Sequence, residues 1–297
     1  MQENLSTEDV FRQLWTGRSK REALGALYLY EQGLGNYPGA PEIENLVSLG
    51  LAIKKRGRLS LTPLGSSLAY NLLEYVGQVK ERKIDEILQQ LKIDSESIVA
   101  DIGCGGGQTL FAIQKYVPKK VFGVDRDHNA INFAKFLFSQ EGIPAERYNF
   151  LEARMEKYFL PKGFFTHLIC RGVLQKLRVA KTLARFNYSL LPGGRVYLMV
   201  MTGRYYFSRM RIVLQRPIWL CYFLFVFLNG CLFAATGLQL TVRLGSRRLS
   251  EVFFTPSSLK RVLRRNNFEI ETFSLRPFTR KSAVAFEVIA RKKSLEG

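Results

Sequence analysis

Short, dense apolar runs alternate along this chain with longer stretches in which apolar residues recur every three or four positions. From Ser97 to Gly203 the runs "SIVADIG", "KKVFGVD", "RYNFLEA", "FTHLICRG" and "GRVYLMVMT" read as strands, rich in the branched and aromatic side chains that suit a sheet buried on both faces. Between them, "LFAIQKYV", "NAINFAKFLFSQEG" and "VAKTLARFNYSLL" carry helical spacing. That alternation predicts an α/β fold with a mostly parallel, doubly wound sheet. Near the end the rhythm resumes, with "PSSLKRVLRRNNF" as a helix and "EIETFSLRP" and "SAVAFEVIARK" as two strands joined by a basic turn.

A smaller unit precedes the sheet. "SKREALGALYLYEQ" and "NYPGAPEIENLVSLG" read as helices, "LAIKKRGRLSLT" as a hairpin turning at Arg56-Gly57, and "LTPLGSSLAYNLLEYVG" as a further helix. The predicted organisation is therefore a mainly α unit over 1–76, a helical linker over 77–96 and an α/β domain over 97–297, with an apolar insertion at 204–250. No internal repeat or low-complexity tract interrupts it.

The insertion contains "RPIWLCYFLFVFLNGCLFAATGLQLTVR", 26 uncharged residues between Arg216 and Arg243. As one helix it would reach about 40 Å, more than a hydrocarbon core of about 30 Å. Both flanks must nevertheless return to the same sheet, which excludes a single crossing, and two crossings need about 40 apolar residues. Asn229-Gly230 near its middle is a turn signal that could split it into two shorter helices. Three readings stay open. The segment is a buried helical pair over the active site or a dimer interface, or a membrane-dipping hairpin held by Arg204, Arg209, Arg211, Arg216, Arg243, Arg247 and Arg248, or both. Trp219, Phe223, Phe225, Phe227 and Phe233 require a cover in each case.

Composition narrows this picture. In 297 residues, 47% hydrophobic and 23% charged content excludes wholesale disorder. The net charge is +19, and residues 203–297 hold 17 Lys/Arg against 5 Asp/Glu. A basic surface attracts nucleic acid, anionic lipid or acidic small molecules; its coincidence with the apolar run favours lipid. The first residues, "MQENLSTEDVF", show no secretory pattern, and the four cysteines form no C-x-x-C pair and no zinc spacing. A cytoplasmic setting without a metal centre is the expectation.

The chemistry concentrates in "VADIGCGGGQTLFAI". Gly103, Gly105 and Gly107 follow Asp101 and open a helix, where the chain must turn sharply and let a ligand approach its backbone. Gln108 stands where the dinucleotide fingerprint G-x-G-x-x-G wants glycine, and Asp101 suits a cationic ligand better than a pyrophosphate. Asp125 ends the second strand about 20 residues on, where an acid can bind both ribose hydroxyls.

These residues resemble a class I S-adenosylmethionine-dependent methyltransferase. "DIGCGGG" is similar to that family's D-x-G-x-G-x-G, "GVDRD" to its ribose-binding segment and "LEARME" to its third strand end. "HLICRGVLQKL" is similar to its fourth strand and "LLPGGRVYL" to the turn into its fifth. The resemblance implies a Rossmann-like seven-stranded sheet with S-adenosyl-L-methionine as cofactor. It implies Asp101, Gly103, Cys104, Gly105 and Gly107 around the methionine portion, Asp125 and Arg126 at the ribose, and Glu152 and Ala153 at the adenine, with Cys170 beside them. Asp127 could share the ribose role. Arg171, Tyr205 and Tyr206 would line the acceptor site, although packing and ion-pair roles suit them equally. The order helix, helix, hairpin, helix, with its "LTPLG", resembles a winged helix, serving for dimerisation or as a substrate lid.

Methyl transfer from a sulfonium is an in-line displacement, for which positioning alone can supply about 7–11 kcal/mol. His128 and His167 read as structural, and no catalytic base is assigned. The segment "CRGVL" lacks the Pro-Pro-Tyr and Pro-Cys signatures of nucleic-acid methyltransferases, so nucleic acid is the less favoured partner. The expectation is methyl transfer to a hydrophobic small-molecule or lipid-like acceptor, with peripheral contact to an anionic membrane and a homodimer left open. The alternatives are an RNA methyltransferase and a winged-helix regulator that senses the cofactor.

Overall fold

Ser6 begins the described chain by capping a helix that the sequence reading passed over. The computed structural model describes residues 6–31, 40–55, 58–80, 84–158, 160–208, 217–244, 247–279 and 283–294. In helix α1 (Thr7–Thr16) the Ser6 hydroxyl accepts the Asp9 N–H while the Asp9 carboxylate accepts the Ser6 N–H, a reciprocal cap. Helices α2 (Arg18–Glu31) and α3 (Ala40–Ser48), strands β1 (Ala52–Lys55) and β2 (Arg58–Leu61), and helix α4 (Pro63–Tyr75) follow in the expected order. Strands β1 and β2 pair antiparallel, and the predicted turn residues Arg56-Gly57 lie outside the described residues. A short π-helical segment, Val76–Lys80, continues α4 into the predicted linker, which ends in α5 (Asp85–Leu91).

The apolar runs pair as one sheet because each offers alternate side chains to two cores. The parallel members are β3 (Ile98–Ile102), β4 (Lys120–Asp125), β5 (Tyr148–Glu152), β6 (Phe165–Arg171) and β7 (Leu190–Met201). Helices α6 (Gln108–Ala112), α7 (His128–Gln140) and α8 (Val179–Ser189) lie between them in sequence. Successive residues face opposite ways: Ile169 and Tyr197 enter one core, and their neighbours Leu168 and Leu198 the other. Phe11 of α1 packs edge-on against Phe133 of α7 at 5.7 Å, so the amino-terminal unit shares a core with the α/β domain.

After β7 the chain runs through α9 (Gly203–Ser208), α10 (Pro217–Thr236) and the small antiparallel pair β8 (Val242–Leu244) and β9 (Arg247–Leu249). It returns as α11 (Pro256–Arg265), β10 (Phe268–Thr279) and β11 (Ala283–Lys292). Strand β11 inserts antiparallel beside β7, giving the order β10-β11-β7-β6-β3-β4-β5.

The apolar run is one helix, which corrects the predicted split at Asn229-Gly230. Asn229 is buried inside the helix interface. Its side chain donates to the Leu240 and Glu251 carbonyls at 3.1 Å each and accepts the Leu240 N–H at 2.7 Å. Gly230 is a close approach: a Cβ there would lie 2.3 Å from the Phe253 ring. Among the described residues no helix is long and apolar enough to cross a membrane. Phe223, Val226 and Phe233 of α10 are buried, whereas Leu224 and Leu228 on its outer side are 48% and 66% exposed. Arg209, Arg211 and Arg216 lie outside the described residues.

In an open helix, Gly→Ala stabilises by about 0.5–1 kcal/mol. Here the added methyl meets Phe253, so Gly230→Ala is expected to destabilise by about 1–3 kcal/mol in a denaturant titration. A rise in stability would mean that Phe253 does not hold this position.

Candidate functional site

The chain leaves β3 for β4 on one side and the adjacent β6 for β7 on the other, so the carboxyl edges of these two strands form the switch point at which α/β sheets bind ligands. The loop from Gly103 to Gly107 sits there. Gly103, Gly105 and Gly107 have φ of +80°, +53° and +75°, values that favour glycine. Each N–H of the loop has an acceptor. Those of Gly103 and Cys104 donate to the Val124 carbonyl at 2.7 and 3.2 Å, and that of Gly107 to the Cys104 carbonyl at 3.0 Å. The Gly105 N–H donates to Asp125 Oδ2 at 2.9 Å, and the Gly106 N–H to Asn71 Oδ1 of α4 at 2.6 Å.

Asp125 is held at the end of β4 from two sides, since its Oδ1 accepts the Asp127 N–H at 2.9 Å. Each of its oxygens keeps a further lone pair for a ligand. Asp127 is engaged elsewhere: Oδ1 caps α7 through the Asn129 N–H at 3.0 Å, and Oδ2 accepts the Ser67 hydroxyl at 2.8 Å. Glu152 stands opposite Asp125 on β5 and meets His128 Nδ1 at 2.8 Å, while the Ala153 N–H donates to the Asp125 carbonyl at 2.7 Å. Arg126 is exposed beside them.

Asp101, at 2% exposure, has an Oδ1 without a hydrogen-bond partner among the described residues. Burial pushes its carboxyl up to about 7, against the opposing pull of Arg171 and with a smaller push from Asp125. A buried carboxylate oxygen without a donor, beside a loop of left-handed glycines and an acid at the next strand end, fits a ligand carrying an ammonium group and a ribose.

Two of the expected residues have buried thiols. Cys104 and Cys170 are buried in the two cores, with thiols raised chiefly by burial. Arg171 ends β6 and donates from Nη1 to the Thr109 hydroxyl at 3.0 Å; its Nε has no partner among the described residues. His167 is buried with Nε2 2.9 Å from the Leu91 carbonyl, a structural position. Tyr205 and Tyr206 sit on α9 with their rings edge-on at 5.3 Å. The Tyr206 hydroxyl donates to Glu251 at 2.6 Å; burial, and then that carboxylate, push the hydroxyl well above its usual range. It serves as a hydrogen-bond donor there rather than a base.

The sequence reading missed Asn71, Gln78 and Glu251. Glu251 is the sole acid between Arg204 and Phe268, a signal that was available. Ser67, Asn71, Glu74 and Gln78 recur at helical spacing within an apolar helix, another such signal.

Residues 100–198 match the family model described as a methyltransferase domain. A tRNA U34 carboxymethyltransferase of Campylobacter curvus is 30% identical over 127 residues, which make up 40% of this chain and 39% of that protein. A trans-aconitate 2-methyltransferase of Rhodopseudomonas palustris is 29% identical over 119 residues, 39% of this chain and 43% of that protein. The chain thus spans about two fifths of the length of these curated relatives. Among solved structures, magnesium protoporphyrin IX methyltransferase from Synechocystis PCC 6803 with bound SAH is similar with a TM-score of 0.50 at 14% identity. That match covers 79% of this chain and 89% of the other, and the likeness is one of fold. The match to a methyltransferase domain thus falls on the part of the chain that holds the glycine loop and the parallel strands of the sheet.

Proposed function

We propose that the protein transfers a methyl group from S-adenosylmethionine to a hydrophobic small-molecule or lipid-like acceptor, working at the surface of an anionic membrane. The observation that carries this reading is α10, whose inner face packs against the domain while Leu224 and Leu228 point outward. Leu238 and Leu240, at 65% and 54% exposure, and Phe207 extend the outward apolar surface, and exposed Arg204 and Arg248 stand in the same insertion. Apolar side chains with a basic rim are what an interfacial segment presents to anionic lipid.

Bound S-adenosylmethionine supplies an electrophilic methyl group on a sulfonium. The protein's part is to hold the donor and bring the acceptor into line. In this reading Asp101 takes the donor's ammonium group, Asp125 its ribose, and Glu152 with the Ala153 backbone borders its adenine. Arg171, Tyr205 and Tyr206 line the acceptor side. The trans-aconitate and magnesium protoporphyrin IX enzymes support a small-molecule acceptor; the tRNA enzyme, with the basic carboxy-terminal third, supports RNA as the second reading.

Losing a hydrogen bond to a charged group costs about 1.5–3 kcal/mol, so Asp125→Ala is expected to weaken donor binding by about tenfold or more in calorimetry. Gly103→Val should do the same, because its side chain would enter Val173 at a left-handed residue. Unchanged affinity in both variants would remove the donor from this loop.

The raised Asp101 carboxyl fixes the sign of a pH effect. Below about 7 the group is protonated in the donor-free protein and offers no charge to an ammonium. Donor affinity is therefore expected to rise as pH increases through about 7, and the part due to Asp101 to vanish in Asp101→Asn. An identical pH slope in the variant would take Asp101 away from the ammonium position.

For the acceptor, methyl-labelled S-adenosylmethionine is incubated with the protein and a membrane-containing lysate, and the label is partitioned. The reading expects label in the organic phase, and expects Leu224→Asp with Leu228→Asp to reduce both that label and sedimentation with phosphatidylglycerol vesicles. Label in the nucleic-acid fraction would replace the reading with RNA methylation.

A further inference from the structure

We propose that α4 of the amino-terminal unit is a built-in part of the methyl-donor site, with Asn71 as the positioning residue that sets the glycine loop. The inference rests on the assignment of that loop to the donor. Of the five loop N–H groups, four find acceptors within the α/β domain, and only the Gly106 N–H reaches outside it, to Asn71 Oδ1. Gly106 is buried, so without α4 that donor would be an unsatisfied polar group.

Asn71 is 1% exposed and fully engaged. Its Nδ2 donates to the Ser67 carbonyl at 2.8 Å, and its Oδ1 also accepts Gln108 Nε2 at 3.0 Å. Gln108 Nε2 donates as well to the Asn71 carbonyl at 2.8 Å, so α4 grips both the loop and the first residue of α6. One turn earlier on the same stripe, Ser67 holds Asp127, two residues beyond Asp125. Farther along, Gln78 Oε1 accepts the Thr109 hydroxyl at 3.0 Å, and Thr109 in turn accepts from Arg171. Three contacts thus follow the sheet edge from the second strand end, across the loop, to the acceptor side.

The glycine at 106 has its reason here. It falls at an unspecified position of D-x-G-x-G-x-G, and it is not among the left-handed residues. A Cβ at Gly106 would lie 2.6 Å from Phe133 and 2.9 Å from Asn71 Oδ1. An interface made only to join two units could be apolar throughout, as Leu68 and Leu72 of the same helix are. The buried amides are spent instead on a loop whose shape the donor needs. Loop shape and α4 docking are consequently one equilibrium, and what binds one state of the loop stabilises the docked helix.

The test uses the full chain with S-adenosylmethionine or S-adenosylhomocysteine, followed by calorimetry and amide hydrogen exchange. Asn71→Leu keeps the volume but strands the Gly106 N–H, and is expected to weaken binding about tenfold and to speed exchange in 105–108. Asn71→Asp retains an acceptor and should keep most of the affinity. In the unaltered protein, saturating donor should slow exchange across 67–80. Unchanged affinity and loop exchange in Asn71→Leu would overturn the proposal, as would absence of donor-induced protection in 67–80, a readout available even if the variant does not fold. If Asp125→Ala also leaves affinity unchanged, the donor-site reading itself fails; if Asp125→Ala loses binding and Asn71→Leu does not, only the clamp fails.

Discussion

Five successive backbone N–H groups between β3 and α6 must all find acceptors while the chain reverses through left-handed glycines, and the arrangement of this sheet edge follows from that requirement. The Val124 carbonyl serves two of them and the Cys104 carbonyl a third, so the turn is locked to β4. Asp125 serves the fourth and is thereby fixed at its strand end, preorganised with lone pairs to spare. The fifth comes from a helix more than thirty residues upstream, which ties the amino-terminal unit to the loop.

A second organising group lies in the strongly basic last third. Glu251 is buried and accepts from the hydroxyls of Tyr206 on α9 and Tyr222 on α10, while its carbonyl accepts from Asn229. One acid and one amide thus lock three segments of the insertion together. A buried carboxylate is tolerable only when hydrogen-bonded, and the two phenols meet that need without consuming an arginine.

Strands in the α/β domain were legible because buried parallel strands require unbroken runs of branched and aromatic residues, as in "KKVFGVD" and "GRVYLMVMT". The glycine turn was legible for a similar reason: its left-handed positions favour glycine, and Asp101 and Asp125 lie at or next to the ends of the two strands beside it. Asn229-Gly230 was misread, since a local turn signal and a close helix packing ask for the same residues and only Phe253, distant in sequence, distinguishes them. Cys170 stands near the end of its strand with its thiol in the core, because a strand's successive side chains alternate between its two faces. The roles of Asn71 and Gln78 depend on a contact between units, which periodicity within one helix hints at but does not specify.

The insertion leaves and rejoins the sheet at nearly one point: Thr202 and Phe254 form an isolated bridge, and the Phe254 N–H donates to the Met201 carbonyl at 3.1 Å. With its ends already joined, the segment is a closed excursion, and β11 can dock on β7 whatever its content. Doubling the length of such a loop costs only about 0.6 kcal/mol in closure entropy. The excursion is therefore thermodynamically separable from the sheet edge that carries the glycine turn. This one excursion can be lengthened, shortened or exchanged with the sheet and its glycine turn left as they are.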